Sequence, residues 1–186
     1  MDVNGGSSRC QGDPELYASE LARFGGTRVV WALRKMKVAL EEGSLGRLRD
    51  AAKGLWKEAE KIGALEVSAV CEQLIHNYEI RNFVWLERLY EKLLLAVLKL
   101  KYLIPVVRKG ILAPGGTKGG RVVLTEAEKM RMDSEILGDL EDVVPFGYEL
   151  VKDPERDLVV VRKKSKLRAA RLGEQKAGYC NTCPLF

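Results

Sequence analysis

From Val29 to Ile104 the apolar residues return every three or four positions, the spacing of helices that bury one face. Val29, Leu33, Met36 and Leu40 make one stripe, closed by Glu-Glu-Gly at 41–43. Ser44 stands where an N-cap is wanted, before a stripe of Leu45, Leu48, Ala52, Leu55, Ala59 and Ile62. Gly63 follows at the position that favours a left-handed residue. Val67, Val70, Cys71, Leu74 and Ile75 form a third stripe, and Phe83, Leu86, Tyr90, Leu93, Val97, Leu100 and Ile104 a fourth. Four amphipathic helices joined by short loops predict an all-α fold, an up-down-up-down four-helix bundle. A shorter helix from Glu15 to Phe24 precedes them, ended by Gly25-Gly26, with Thr27 as the expected cap of the next.

The pattern changes on either side. Residues 1–14, rich in Gly, Ser and Asn, read as a flexible leader. Pro105 is expected to end the last long helix, and 113–120 (APGGTKGG) reads as a loop. Thr125 and Glu128 spell a capping box for a helix running to about Leu140. Phe146–Val151 and Leu158–Arg162 predict a β-hairpin. It has too few apolar residues to stand alone, so it is expected to pack on a neighbour. The resulting division is a leader (1–14), a bundle (15–104), a linker with a short helix and hairpin (105–162) and a basic, disordered tail (163–186).

Composition narrows the class. The chain has 186 residues, 46% hydrophobic and 31% charged, which fits a folded, soluble protein. Its net charge of +5 is local: residues 151–186 hold nine basic and four acidic residues, while the preceding 22 of each sign cancel. Cys10, Cys71, Cys180 and Cys183 are too scattered for a disulfide framework; with three of them in expected tails, they suit a reducing, cytoplasmic setting. The first 14 residues lack the apolar core of a secretory signal. Leu93–Val107, the most apolar stretch, is interrupted by Lys99, Lys101 and Pro105 and cannot span a bilayer.

Residues 51–64, AAKGLWKEAEKIGA, resemble the signature of the histidine-containing phosphotransfer family, a run close to A-A-H-x-L-K-G-S-A-A-x-I-G-A. Ala51, Ala52, Leu55, Ala59, Ile62, Gly63 and Ala64 match it. The following ALEVSAVCEQL at 64–74 is similar to the family's next helix, and the likeness covers about residues 15–104. At the place of the phosphorylated histidine, however, stands Lys53; the family's nearby lysine and glycine are here Trp56 and Lys57. The resemblance therefore implies a pseudo-phosphotransfer domain: a phosphorelay-type bundle without the group that carries phosphate.

The chemistry agrees. A neutral imidazole attacks an acyl phosphate through its lone pair, whereas a lysine amine, with an ordinary pKa near 10.4, is protonated at neutral pH. Helix geometry turns Lys53, Lys57 and Lys61 outward in a row, with Trp56 on the flank, opposite the buried stripe. These four residues are the expected contact for an acidic partner, a response-regulator receiver domain or another signalling protein. No nucleophile–base pair, phosphate loop or ligand cluster is present, so no enzyme activity, metal or cofactor is expected. The single histidine, His76, matches no phosphorylation context and is expected at a helix end. An active phosphotransfer protein remains the alternative, as does a plain helical interaction protein.

The tail adds a second kind of contact. Arg162, Lys163, Lys164, Lys166, Arg168 and Arg171 form a cluster without an intervening acid. The last four residues, Cys183-Pro184-Leu185-Phe186, fit a C-a-a-X prenylation box, and Cys180 offers a palmitoylation site. A lipid chain beside a polybasic stretch is what stable anchoring at an anionic membrane requires, which leaves a peripheral-membrane placement open. Cys180 and Cys183 also read as half a zinc site without its second half. As a nuclear-import or nucleic-acid segment the cluster supports only nonspecific contact, since no aromatics are interleaved, and nucleic acid is not the expected partner.

Overall fold

A computed structural model of the chain describes residues 1–112, 124–145, 147–155 and 158–164. It is mostly helical, with one small antiparallel sheet of two strands. The helices are α1 (Val3–Arg9), α2 (Pro14–Arg23), α3 (Val29–Glu41), α4 (Leu45–Ile62), α5 (Leu65–Asn77), α6 (Phe83–Leu112) and α7 (Glu126–Leu140). The strands are β1 (Tyr148–Asp153) and β2 (Leu158–Lys163), paired from Tyr148↔Lys163 to Asp153↔Leu158.

The apolar stripes do what their spacing dictates. Leu33 and Met36 of α3, Leu48 and Ala52 of α4, Cys71 and Leu74 of α5, and Leu86 and Leu93 of α6 are each 0% exposed. They share one core. α3 packs on α4, α4 on α5, α5 on α6 and α6 on α3, with α2 laid against α6. Tyr90 of α6 crosses that core and shares its hydroxyl proton between Leu33 O (3.1 Å) and Val143 O (2.8 Å), so the aromatic ring is buried without an orphaned polar end.

Helix ends follow the sequence only in part. Gly63 closes α4 at φ 71°, in the left-handed region, and Ala64 N–H reaches back 2.8 Å to Ala59 O. Ser44 occupies the N-cap of α4, yet its side chain makes no capping hydrogen bond. Thr27 caps nothing: the chain stays coiled through Phe24–Arg28 and kinks at Gly26 (φ −83°, ψ −129°). Phe83, assigned to the buried stripe of α6, is 41% exposed at the helix start.

Two larger expectations fail for tertiary reasons. Residues 1–14 are not a loose leader. Asp2 caps α1 by accepting Gly5 N–H at 2.9 Å, and the helix docks on the C-terminal end of α4. There Asp2 N–H donates to Gly63 O (2.8 Å), Arg9 Nη1 to Glu60 O (2.6 Å) and Tyr17 Oη to Ile62 O (2.9 Å). The Ile62 carbonyl thus receives a donor from α2, and those of Glu60 and Gly63, already bonded by Gly63 N–H (3.2 Å) and Leu65 N–H (3.0 Å), each take a second one from the N-terminal segment. Gly6 permits this approach, since a Cβ there would sit 2.6 Å from both Ile62 O and Tyr17 Oη. Cys10, placed in a tail by its position, is 2% exposed in the core.

Nor does Pro105 end α6, which continues to Leu112. Proline inside a helix removes one hydrogen bond and costs about 3 kcal/mol. Burial of Ile104, with Val107 and Ile111 packed partly against the core beyond it, offsets that cost. The boundary expected at 105 is therefore absent.

The C-terminal elements join the same core. The Thr125–Glu128 capping box forms as expected, with Thr125 N–H to Glu128 Oε2 at 2.8 Å. Lys109, Thr125 N–H and the Thr125 hydroxyl together pull the Glu128 carboxyl down to about 2. The hairpin docks on α6 and α7 through Tyr102: its hydroxyl donates to Asp133 Oδ1 (2.6 Å) and accepts Val159 N–H (2.8 Å). Lys152 pairs with the same Asp133 at 2.7 Å, so a buried carboxylate holds two elements together. The loop at 113–120 and Phe146 lie outside the described residues.

The N-terminal closure is testable. Tyr17→Phe strips the donor from a buried carbonyl and should lower stability by about 1–2 kcal/mol. Gly6→Val should lower the melting temperature further, because its side chain meets the backbone of α4. Thermal denaturation followed by circular dichroism checks both; a Gly6→Val protein that melts with the wild type would contradict the docking of α1.

Candidate functional site

The outward face of α4 is set by its inward one. Leu48, Ala52, Leu55, Ala59 and Ile62 are at most 3% exposed, and α3 and α5 flank the helix. The remaining sector turns Lys53 and Lys57 into solvent, as the spacing predicts. Neither ammonium forms a salt bridge among the described residues. Residues 124–145 do not screen them: α7 packs on α6, and Asp142 reaches α3 through Arg34 (3.1 Å) and Lys37.

Lys61 is different. Its Nζ lies 3.0 Å from Oε2 of Glu20, whose residue is 6% exposed, and Arg23 approaches the same carboxylate at 3.2 Å. The hydrogen bond from Lys61 holds the Glu20 carboxyl below the usual range; the charges of Lys61, Arg23 and Arg28 add to it, and burial opposes it. The third lysine of the row therefore belongs to the fold, fastening α4 to α2. Its spacing in the sequence could not reveal this, because Glu20 is distant along the chain.

Trp56 is 36% exposed on the other flank, two turns from Arg49. Arg49 in turn donates to Tyr78 Oη at 2.9 Å and stacks 4.7 Å from that ring, closing the junction of α4 with the end of α5. Trp56 and the two free lysines thus occupy adjoining sectors of one helix.

On the α3 side lies a groove that the helical stripes gave no hint of. It has a volume of about 700 Å³ and is walled by Trp31, Lys35 and Val38 of α3 and by Arg47, Asp50 and Ala51 of α4. A second hollow of about 290 Å³ extends it past Arg28, Gly54 and Glu58. Trp31 is 61% exposed, with Lys35 Nζ 3.4 Å from its ring centroid, a cation–π pair in open solvent. The signal in the sequence was a tryptophan off the buried stripe with a lysine one turn later. Arg28 and Glu58 pair at 2.7 Å along the rim, and Arg47 is tied to Glu42 at 2.7 Å. Gly54 touches nothing: a Cβ there would meet open space, so no packing demand explains glycine in mid-helix.

The other candidate residues lie apart. His76 is exposed at the end of α5, its Nδ1 2.8 Å from Glu72 O. Burial pushes the Cys71 thiol up to about 12, which removes it as a nucleophile. Among the described residues no group of three or more His, Cys, Asp or Glu side chains is placed to hold a metal ion. Arg162 is exposed in β2, Lys163 is the last residue of that strand, and Lys164 follows it. The rest of the basic cluster (Lys166, Arg168 and Arg171) and both lipidation candidates, Cys180 and Cys183, lie outside the described residues.

Two outcomes follow from this division of roles. Glu20 has a depressed folded-state pKa, so its stabilisation is complete above the ordinary carboxyl value of 4.5 and is lost as pH falls through the folded value. Lys61→Met should cost about 1–2 kcal/mol at neutral pH and flatten that acid-side loss. Equal acid-side slopes in urea titrations of the two proteins would contradict the pairing. Gly54→Ala should raise stability by about 0.5–1 kcal/mol, the helix-propensity gain at a site with free space; a fall would mean that a neighbour occupies it.

No protein-family model, curated protein or solved structure matches this chain.

Proposed function

We propose that this protein is a non-catalytic signalling adaptor, a pseudo-phosphotransfer domain that docks a receiver-type or other acidic signalling partner in or near a phosphorelay. The observation that carries the reading is the placement of Lys53: mid-helix, exposed and without a salt bridge among the described residues, where the resembling family has its phosphate-bearing imidazole. An ammonium there attracts a carboxylate-lined pocket and offers no lone pair for phosphoryl transfer. The closed ring of packing among α3, α4, α5 and α6 supports the four-helix, up-down architecture that such a domain needs.

The docking surface in this reading consists of Lys53 and Lys57 as the electrostatic part, with Trp56 on one flank and the Trp31–Lys35 groove on the other. Lys61 is left out, since Glu20 holds it. Aromatic side chains beside unpaired cations are the composition that anchors protein–protein contacts: the rings supply buried area and the charges supply orientation and encounter rate.

Charge reversal tests the surface. Lys53→Glu/Lys57→Glu should retain the wild-type melting temperature, because both side chains are exposed and neither forms a salt bridge among the described residues. It should also lose at least tenfold in affinity for receiver domains of the source organism, measured by pull-down and titration at low salt, on the order of the effect of reversing two interfacial charges. Wild-type and variant proteins that bind equally would dispose of this surface.

A further inference from the structure

The outward face of α6 carries a second stripe, unrelated to the α4 site. Val84, Arg88, Lys92, Leu95, Lys99 and Leu103 follow one another at intervals of three or four residues, and all six are exposed. Val84 is 61% exposed, Leu95 43% and Leu103 39%, although the opposite side of the helix is fully buried. Trp85, 37% exposed, stands beside the stripe with Lys92 Nζ 5.8 Å from its ring centroid. We propose that this face of α6 lies on an anionic lipid bilayer, with its apolar residues in the headgroup region and its cations against lipid phosphates and carboxylates.

Shape and charge both select that occupant. The stripe runs about 28 Å along a convex helix, at about 1.5 Å per residue, and so presents a ridge to a plane where a partner helix would want a groove. Apolar side chains alternating with lysine and arginine, plus a tryptophan, are the composition of helices that rest in a membrane interface. Arg88 and Lys92 form no salt bridge among the described residues, while Lys99 is paired with Glu66 of α5 at 2.7 Å. The nearby acids Glu91 and Glu87 lie toward Tyr148 of the hairpin, close enough for Glu91 above all to raise the pKa of the tyrosine hydroxyl. No helix among the described residues is long and apolar enough to cross a membrane, so the contact is one of lying on the surface.

An independent observation points the same way. Tyr148 pairs with Lys163 across the hairpin and neighbours Glu91, one turn from Arg88 and adjacent to Lys92. Lys164 N–H then donates 2.7 Å to Gly147 O. The described part of the hairpin thus ends beside Tyr148, which neighbours the middle of the α6 stripe. α4 and α6 each pack on both α3 and α5, so their outward faces look in opposite directions. A bilayer on α6 leaves the α4 site open.

Sedimentation of the full chain with phosphatidylcholine vesicles, with and without phosphatidylserine, tests this. Binding should need phosphatidylserine and weaken with salt. Arg88→Glu/Lys92→Glu should lower it by about tenfold or more with an unchanged melting temperature. The chain truncated after Lys164 should still bind measurably and remain sensitive to the same double substitution. With Trp31 and Trp56 replaced by Phe, Trp85 emission should shift to the blue on the vesicles. The proposal is overturned if wild-type protein ignores anionic vesicles, if the double variant sediments as well as wild type, or if truncation alone abolishes binding. It is also overturned if the double variant loses affinity only for an acidic polypeptide such as polyglutamate, which would make the ridge a protein contact.

Discussion

The way α4 ends governs what this protein can present to a partner. At its end the Ile62 carbonyl has no local backbone donor among the described residues, while those of Glu60 and Gly63 accept Gly63 N–H (3.2 Å) and Leu65 N–H (3.0 Å) and have room for a second donor each. Arg9, Tyr17 and the Asp2 backbone supply them. With that end clamped, the buried stripe packed between α3 and α5, and Lys61 fastened to Glu20, α4 has no freedom to rotate about its axis. One residue of slip would turn it by about 100° and carry Lys53 out of its solvent sector. The exposure of Lys53 and Lys57 is a consequence of contacts made elsewhere.

What the sequence discloses and what it hides divide along a physical line. Burial on one helix face leaves a local, periodic trace, so α3, α4, α5 and α6 could be read to within a residue or two at most ends, and so could the capping box of α7 and the hairpin. Contacts distant along the chain leave none. The Gly- and Ser-rich start reads as loose because its order comes from carbonyls some sixty positions away. Pro105 reads as a stop because the burial beyond it is tertiary. Lys61 reads as a free cation because its partner, Glu20, belongs to another helix.

The candidate site shows the same limit. Lys53, Lys57 and Trp56 were legible, since facing outward is the complement of a buried stripe. The groove was not, because a concave surface arises only when two helices are set side by side. Trp31 and the α6 stripe share a hint: large apolar side chains at polar positions of a helix, where burial in the core cannot account for them.

The two proposed faces make a coherent arrangement. A lysine-bearing helix on one side and a basic, apolar ridge on the other suit a protein that brings a partner to a surface without modifying it. In the proposed reading Lys53, where the resembling family has histidine, separates this protein from a phosphate carrier, because an ammonium can bind by charge and cannot make the nucleophilic attack of an imidazole.

The most direct test is to mix the full chain with a receiver domain carrying labelled phosphoryl on its aspartate, and to read complex formation and label transfer in the same sample. The account predicts a salt-sensitive complex in which the label stays on the receiver or is released to water. Label recovered on this chain, on His76 or any other residue, would contradict it.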